Sequence, residues 1–95
     1  MLKWFDATAA EAQADKAIEE VQRLVPKEEV AAGDGTHKKQ VSKLGQTIDR
    51  HRQEAIAAHY NVYQKAKFAN RIKWGLRDKG YPDGFIDSVV RLLII

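Results

Sequence analysis

The chain has 95 residues, 44% hydrophobic and 31% charged. This suits one small folded core, is too apolar for a disordered chain, and leaves no room for two domains. There is no cysteine, which excludes disulfides, thiol catalysis and Cys-ligated zinc or iron–sulfur centres. The net charge of +3 conceals an asymmetry: residues 1–36 carry 4 Lys/Arg against 8 Asp/Glu, residues 37–79 carry 11 against 3, and residues 80–95 carry 1 against 2. The N-terminal part and the middle are therefore electrostatically complementary.

The N-terminus, Met1-Leu2-Lys3-Trp4-Phe5-Asp6, lacks the apolar run of about 7 to 15 residues that a signal peptide needs, so the cytoplasm is the expected compartment. Thr8-Ala9-Ala10-Glu11 has the form of a capping box and opens helix one, expected over about residues 8–25. Ala10, Ala14, Ala17, Ile18, Val21, Leu24 and Val25 recur at three- and four-residue spacing and make one apolar stripe. Leu2, Trp4 and Phe5 are placed to staple onto the first turn. A linker is expected over about 26–36, with Pro26-Lys27-Glu28-Glu29 as a single helical turn and Gly33-Asp34-Gly35 as a plain turn. Neither the Gly-Lys-Ser/Thr of a phosphate loop nor the Asp-x-Asp of a calcium loop accompanies these glycines.

Residues 37–79 contain no proline and only Gly45 and Gly75 before the terminal Gly80. They read as one basic helix of about 60 Å at 1.5 Å per residue. Val41, Leu44, Ile48, Ala55, Ala58, Val62, Ala69, Ile72 and Leu76 follow a near-heptad seam, with His51 and Lys65 as polar occupants. Gly80-Tyr81-Pro82 ends this helix, glycine supplying the left-handed backbone and proline refusing to continue. A last helix is expected over about 83–94. Only Asp87, Ser88 and Arg91 form its polar edge, so it must bury itself against something, and docking on the long helix is favoured over a lipid interface or a partner groove.

Short connections favour antiparallel neighbours, so helix one is expected along the first half of the long helix and the last helix along the second half. The fold class is thus all-α, a single domain over 1–95 built as a three-helix strip. The strip leaves apolar surface open, which homodimerisation into a four-helix cross-section would cover. Val41, Leu44, Ile48, Ala55, Val62, Ala69, Ile72 and Leu76 are the expected oligomer seam. The longest apolar tract, Leu92 to Ile95, is far short of the roughly 20 residues that span a bilayer.

A second stripe on the long helix, Ile56, Tyr60, Tyr63, Lys67, Arg71 and Trp74, alternates rings with cations. Bases stack on rings while Lys and Arg track phosphates, so Tyr60, Tyr63, Lys67, Arg71 and Trp74 form a candidate interaction surface for single-stranded nucleic acid. The alternative is a second packing face, with Lys and Arg stems covering the rings. His51 and His59 are eight residues apart, about 12 Å along a straight helix, too far to share a metal ion except between subunits. His51 and Glu54 invert the Glu-x-x-His order of dinuclear bundle sites. Ser42 or Ser88 with a histidine, or Glu54 with His51 or His59, makes no recognisable catalytic constellation. The expected function is that of a non-enzymatic helical interaction or scaffold protein, partnered by itself or another protein. It is expected to need no cofactor; nucleic-acid binding is the alternative and a metal-binding bundle the third reading.

Overall fold

In the computed structural model, which describes residues 3–30 and 37–94, the first helix α1 spans Thr8–Leu24. It follows a 3₁₀ turn, Lys3–Phe5. Thr8 is already inside the helix, so the expected Thr8/Glu11 box is not its cap; the Asp6 carboxylate instead accepts from the Thr8 N–H at 3.0 Å. Ala10, Ala14, Ala17, Ile18 and Val21 face inward, as the spacing requires, and Val25 just beyond is fully buried. A second 3₁₀ turn, Lys27–Glu29, follows Pro26. The expected Gly33-Asp34-Gly35 turn, Leu2 and Ile95 lie outside the described residues.

In place of one helix over 37–79 there are three: α2 (Lys38–Lys43), α3 (Gly45–Ala57) and α4 (Val62–Asp78). The first interruption is slight, a departure from helical geometry at Leu44 (φ −96°, ψ 4°). The second is a reversal. The backbone of His59 adopts φ +56°, a left-handed conformation that a non-glycine residue enters at a cost of about 1 kcal/mol or more. Asn61 then starts α4 by a reciprocal cap: its Oδ1 accepts from Gln64 N–H at 2.8 Å, and Gln64 Oε1 accepts from Asn61 N–H at 2.9 Å. The spare amide protons of both side chains reach the N-terminal turn, Asn61 Nδ2 donating to the Trp4 carbonyl and Gln64 Nε2 to the Asp6 carbonyl, each at 2.9 Å. A continuous helix of about 60 Å would overrun the molecule, whose longest dimension is 45 Å.

The last helix α5 covers Asp83–Ile94. Gly80 (φ +94°) and the Tyr81 N–H, bonded at 3.1 Å to the Leu76 carbonyl, close α4 in the manner expected of Gly-Tyr-Pro.

Contacts between named residues give the directions. Asp6 meets Gln64, Asp15 meets Arg71, Ile18 meets Gly75 and Val25 meets Tyr81, so α1 runs parallel to α4. Gln13 meets His51 and Glu20 meets Arg50, so α1 is antiparallel to α3. Arg77 meets Asp83 near one end of the α4–α5 pair, while Phe68 and Leu93 line one cleft near the other, so these helices are antiparallel. Helix one thus packs chiefly on the second half of the expected spine, not the first, and α5 bridges α4 and α3. With the spine folded back, one chain supplies four helical rods in cross-section: α1, α2 with α3, α4 and α5. Phe68, Ile72 and Leu76 of α4, Phe85 and Val89 of α5, and Leu44 before α3 are the bulk of the core, each contributing about 1.5 to 3 kcal/mol on burial. Gly75 sets the α1–α4 approach, since a Cβ there would stand 2.3 Å from Ile18 Cδ1.

The reversal should respond to two substitutions in opposite directions. His59→Gly is expected to raise unfolding free energy by about 1 kcal/mol by relieving the left-handed backbone. Asn61→Ala is expected to lower it by about 1 to 2 kcal/mol through loss of the cap. Urea denaturation of both variants checks this; equal midpoints for all three proteins would show that the reversal is absent in solution.

Candidate functional site

The break at 58–61 rotates Tyr60 out of the face it would occupy on a continuous helix. Its ring is half-buried, 6.2 Å from Phe68 between centroids, and its hydroxyl donates to Gln13 Oε1 at 2.8 Å. Burial, reinforced by the negative charge of Glu54, raises the Tyr60 pKa above its ordinary value. Tyr63 is half-buried beneath Trp4 and Phe5, with centroid separations of 5.9 and 5.3 Å, and the Lys67 ammonium stands 5.5 Å from its ring centre. The N-terminal aromatics therefore staple α4 and not the first turn of α1. Arg71 grips Asp15 with two hydrogen bonds, of 2.9 and 3.0 Å, and those bonds hold the Asp15 carboxyl below its ordinary pKa. Trp74 is 54% exposed, with the Arg77 guanidinium 4.9 Å from its ring centre, and Arg71 is exposed as well. The structure brings Tyr63 and Lys67 together, and Lys67, Arg71 and Trp74 line one open cleft with Glu11 and Asp15 of α1, while Tyr60 stands apart.

Of the seam residues, Leu44, Ile48, Ile72 and Leu76 are buried inside the chain's own core, and Val41 packs against it. Ala55 and Ala69 are half-buried, while Val62, at the tip of the reversal, is 77% exposed.

His51 is the polar centre of the fold, 2% exposed. Its Nε2 lies 2.8 Å from Glu20 Oε1 and its Nδ1 lies 3.2 Å from Gln13 Nε2, an arrangement satisfied when Nε2 carries the proton and Nδ1 accepts. Gln13 also donates to the His51 carbonyl at 3.0 Å, and Arg50 hydrogen-bonds Glu20. Among the described residues no buried side-chain nitrogen or oxygen lacks a partner, so this is a polar staple joining α1, α3 and the reversal. His59 is apart from it, exposed, and His37 packs edge-on against Phe85 at 6.0 Å. Among the described residues no three His, Cys, Asp or Glu side chains are grouped to hold a metal ion.

What spacing alone did not reveal is the distribution of exposed apolar side chains. Seven large ones are exposed among the described residues, and six of them, Trp4, Phe5, Ile56, Val62, Leu92 and Ile94, surround the reversal. Trp4 is tied there through Asn61, Phe5 through Tyr63, and Leu92 through its carbonyl, which accepts from Arg52 at 3.3 Å. A cleft of about 320 Å³ opens on this end, with Ala55, Ile56, Tyr60, Phe68, Leu93 and Ile94 as its apolar lining and Arg52, His59 and Lys65 as its basic rim. The Trp-Phe pair preceding the first cap was the visible sign; the rest depends on contacts between residues some 60 apart in sequence. Among the described residues no helix is long and apolar enough to cross a membrane. No protein-family model, no curated protein and no solved structure matches this chain.

Tyr81 gives this end's opposite pole a pH dependence. Its hydroxyl, 4% exposed as a residue, donates to the Val25 carbonyl at 2.6 Å, and burial, with Glu28 and Glu29 adding negative charge, raises its pKa above 10.0. The folded protein thus keeps its phenol proton where the unfolded chain has lost it. The resulting stabilisation is complete below pH 10 and disappears as pH rises through the folded-state values of Tyr81 and Tyr60. Thermal melts between about pH 8 and 11 should show a falling midpoint above pH 10, with a shallower fall in Tyr81→Phe, itself about 1 kcal/mol less stable at neutral pH. An unchanged slope in that variant would contradict the assignment.

Proposed function

We propose that this chain is a non-enzymatic helical interaction protein that works as a homo-oligomer through the end carrying the helix reversal. The carrying observation is the gathering of six of seven exposed large apolar side chains at that end. Monomeric proteins seldom leave a contiguous apolar surface beyond a few hundred Å² uncovered, and a self-complementary patch closes most simply as a two-fold dimer. The seam expected to pair two chains is largely consumed within one, so the oligomer contact moves from the helix side to the helix end. The buried, fully bonded state of His51 supports a structural role for the group best equipped for acid–base work.

Nucleic-acid binding is the second reading. It rests on Trp74 with Arg77 and on the exposed Lys65 and Lys73 of α4. The pairing of Arg71 with Asp15 and of Arg77 with Asp83 reduces the charge available to phosphates.

Sedimentation at tens of micromolar is expected to give a dimer, and Val62→Asp a monomer of unchanged thermal stability, because Val62 is 77% exposed and contributes little to the core. A strict monomer for the unaltered protein would refute the oligomer. In the same samples, a steeply salt-dependent affinity for single-stranded DNA or RNA would favour the second reading instead.

A further inference from the structure

The cleft at the reversal end differs from other open clefts of the chain in the sign of its surroundings. Those along α4 mix charges: Lys73 and Arg77 line one with Asp83 and Asp87, and Lys67 and Arg71 line another with Glu11, Asp15 and Asp78. On α3, Arg50 stands beside Asp49 and Glu54 in a third. The cleft beside Tyr60 is lined by Arg52, His59 and Lys65 and by no carboxylate. The neighbouring Glu54 carboxylate is drawn instead to Gln13 and His51. Phe68 and Leu93, 2% and 4% exposed, bring the core to the cleft, and Ala55, Ile56 and Ile94 complete its apolar lining. Tyr60 adds its ring, because its hydroxyl is already given to Gln13. The cations are unequally engaged. Arg52 is half-buried and makes two long contacts of 3.3 Å, to Asp49 Oδ1 and to the Leu92 carbonyl. The exposed side chains of Lys65 and His59 have no hydrogen-bond or ion-pair partner among the described residues.

We infer that this cleft binds a small anionic amphiphile, a carboxylate carrying a single acyl chain of medium length, with its tail against Phe68 and Leu93 and its head at Lys65 and Arg52. The site needs only one chain and goes beyond the oligomer reading. Two physical effects select that ligand. Burying the tail takes its methylenes and the exposed sides of Ile56 and Ile94 out of water, and each buried methylene tightens binding by up to about fourfold. The head answers the basic rim. An ammonium with no partner beside an apolar wall attracts a carboxylate more strongly than it would in bulk water, and the planar guanidinium of Arg52 matches a carboxylate in shape. A cationic amphiphile would bury the same tail but set its head against Lys65 and Arg52, and a neutral one would leave the rim unanswered. The volume of about 320 Å³ lies at the small end of ligand cavities, roughly 300 to 1,000 Å³. That suits one short chain and not a two-chain lipid.

The probes are hexanoate, octanoate and decanoate, with decanol and decylammonium as neutral and cationic matches, all kept below the concentrations at which they aggregate. Calorimetric titration of the full chain gives affinity and stoichiometry, and methyl NMR shifts of Ile56, Leu93 and Ile94 locate the ligand. One decanoate should bind per chain, at least about tenfold more tightly than decanol or decylammonium. Affinity should rise several-fold for each two carbons added from hexanoate to decanoate. Lys65→Glu, at an exposed position that folding tolerates, should weaken decanoate about tenfold and strengthen decylammonium. Ala55→Phe fills the cleft from a half-buried position and should abolish binding of both, with circular dichroism confirming that each variant is helical. Trp4→Ala with Phe5→Ala removes exposed rings outside the cleft lining and should leave decanoate affinity unchanged. No binding at millimolar decanoate, equal affinity for decanoate and decylammonium, or indifference to Lys65→Glu would overturn the assignment. So would adsorption to phosphatidylcholine vesicles containing phosphatidylglycerol, lost in the variant without Trp4 and Phe5, by a protein that ignores free decanoate; the end would then be a membrane surface. Sedimentation of the same samples reports pairing separately. A strict monomer that binds decanoate refutes the oligomer alone, and a dimer that does not bind it refutes the ligand site alone.

Discussion

The reciprocal cap between Asn61 and Gln64 is the interaction on which the rest of the structure depends. Each side chain satisfies the backbone N–H of the other, and each retains an amide proton that reaches the N-terminal turn. Those four hydrogen bonds start α4 and anchor the turn before α1 at one point. Without a reversal there, residues 37–79 would form a rod longer than the molecule, and α1 and α5 would have only a flat strip to cover. With it, a chain of this size encloses a core of four rods whose largest members, Phe68 and Phe85, are 2% and 0% exposed.

The reversal also determines where charge and polarity go. Folding the basic middle segment back places α3 and α4 on either side of the acidic α1, so Arg50 meets Glu20 and Arg71 meets Asp15. Such exposed pairs contribute little to stability individually, but they remove cations from the surface that a polyanion would need. The buried polar staple of His51, Gln13, Glu20 and Tyr60 fixes how α1 is set against α3. A group left unpaired there would cost about 1 to 3 kcal/mol, more than a typical hydrogen bond contributes. The price of the reversal is surface. The helix ends it joins expose Ile56 and Val62, and the ends of α5 and of the N-terminal turn converge on the same place, producing an apolar end on an otherwise charged molecule.

The parts legible in the sequence were those governed by local rules. The stripe from Ala10 to Val25 follows helical spacing, and Gly80-Tyr81-Pro82 carries a left-handed glycine and a proline at the places where a helix end needs them. The reversal at 58–61 obeys a local rule too, but without either punctuating residue: Asn61-Val62-Tyr63-Gln64 is a capping box in the middle of a run with no Pro or Gly, and His59 takes the left-handed position usually given to glycine. Reading through it kept Tyr60 in register with Tyr63 and Trp74, and Tyr60 is the one member of the candidate surface that the reversal turns away, since Tyr63, Lys67, Arg71 and Trp74 all lie within α4. The covering of Tyr63 by Trp4 and Phe5, and the capture of Arg71 by Asp15, are contacts across more than fifty residues. No periodicity within a single helix encodes them.

The most direct measurement is the distance between the two ends of the basic segment, by spin labels at the exposed positions Lys38 and Lys79. In the folded-back chain His37 lies against Gly84 and Phe85, close to the end of α4, so the labels should report a separation well inside the 45 Å length of the molecule. A separation near 60 Å, that of an unbroken helix over the same residues, would contradict the reversal and the apolar end built upon it.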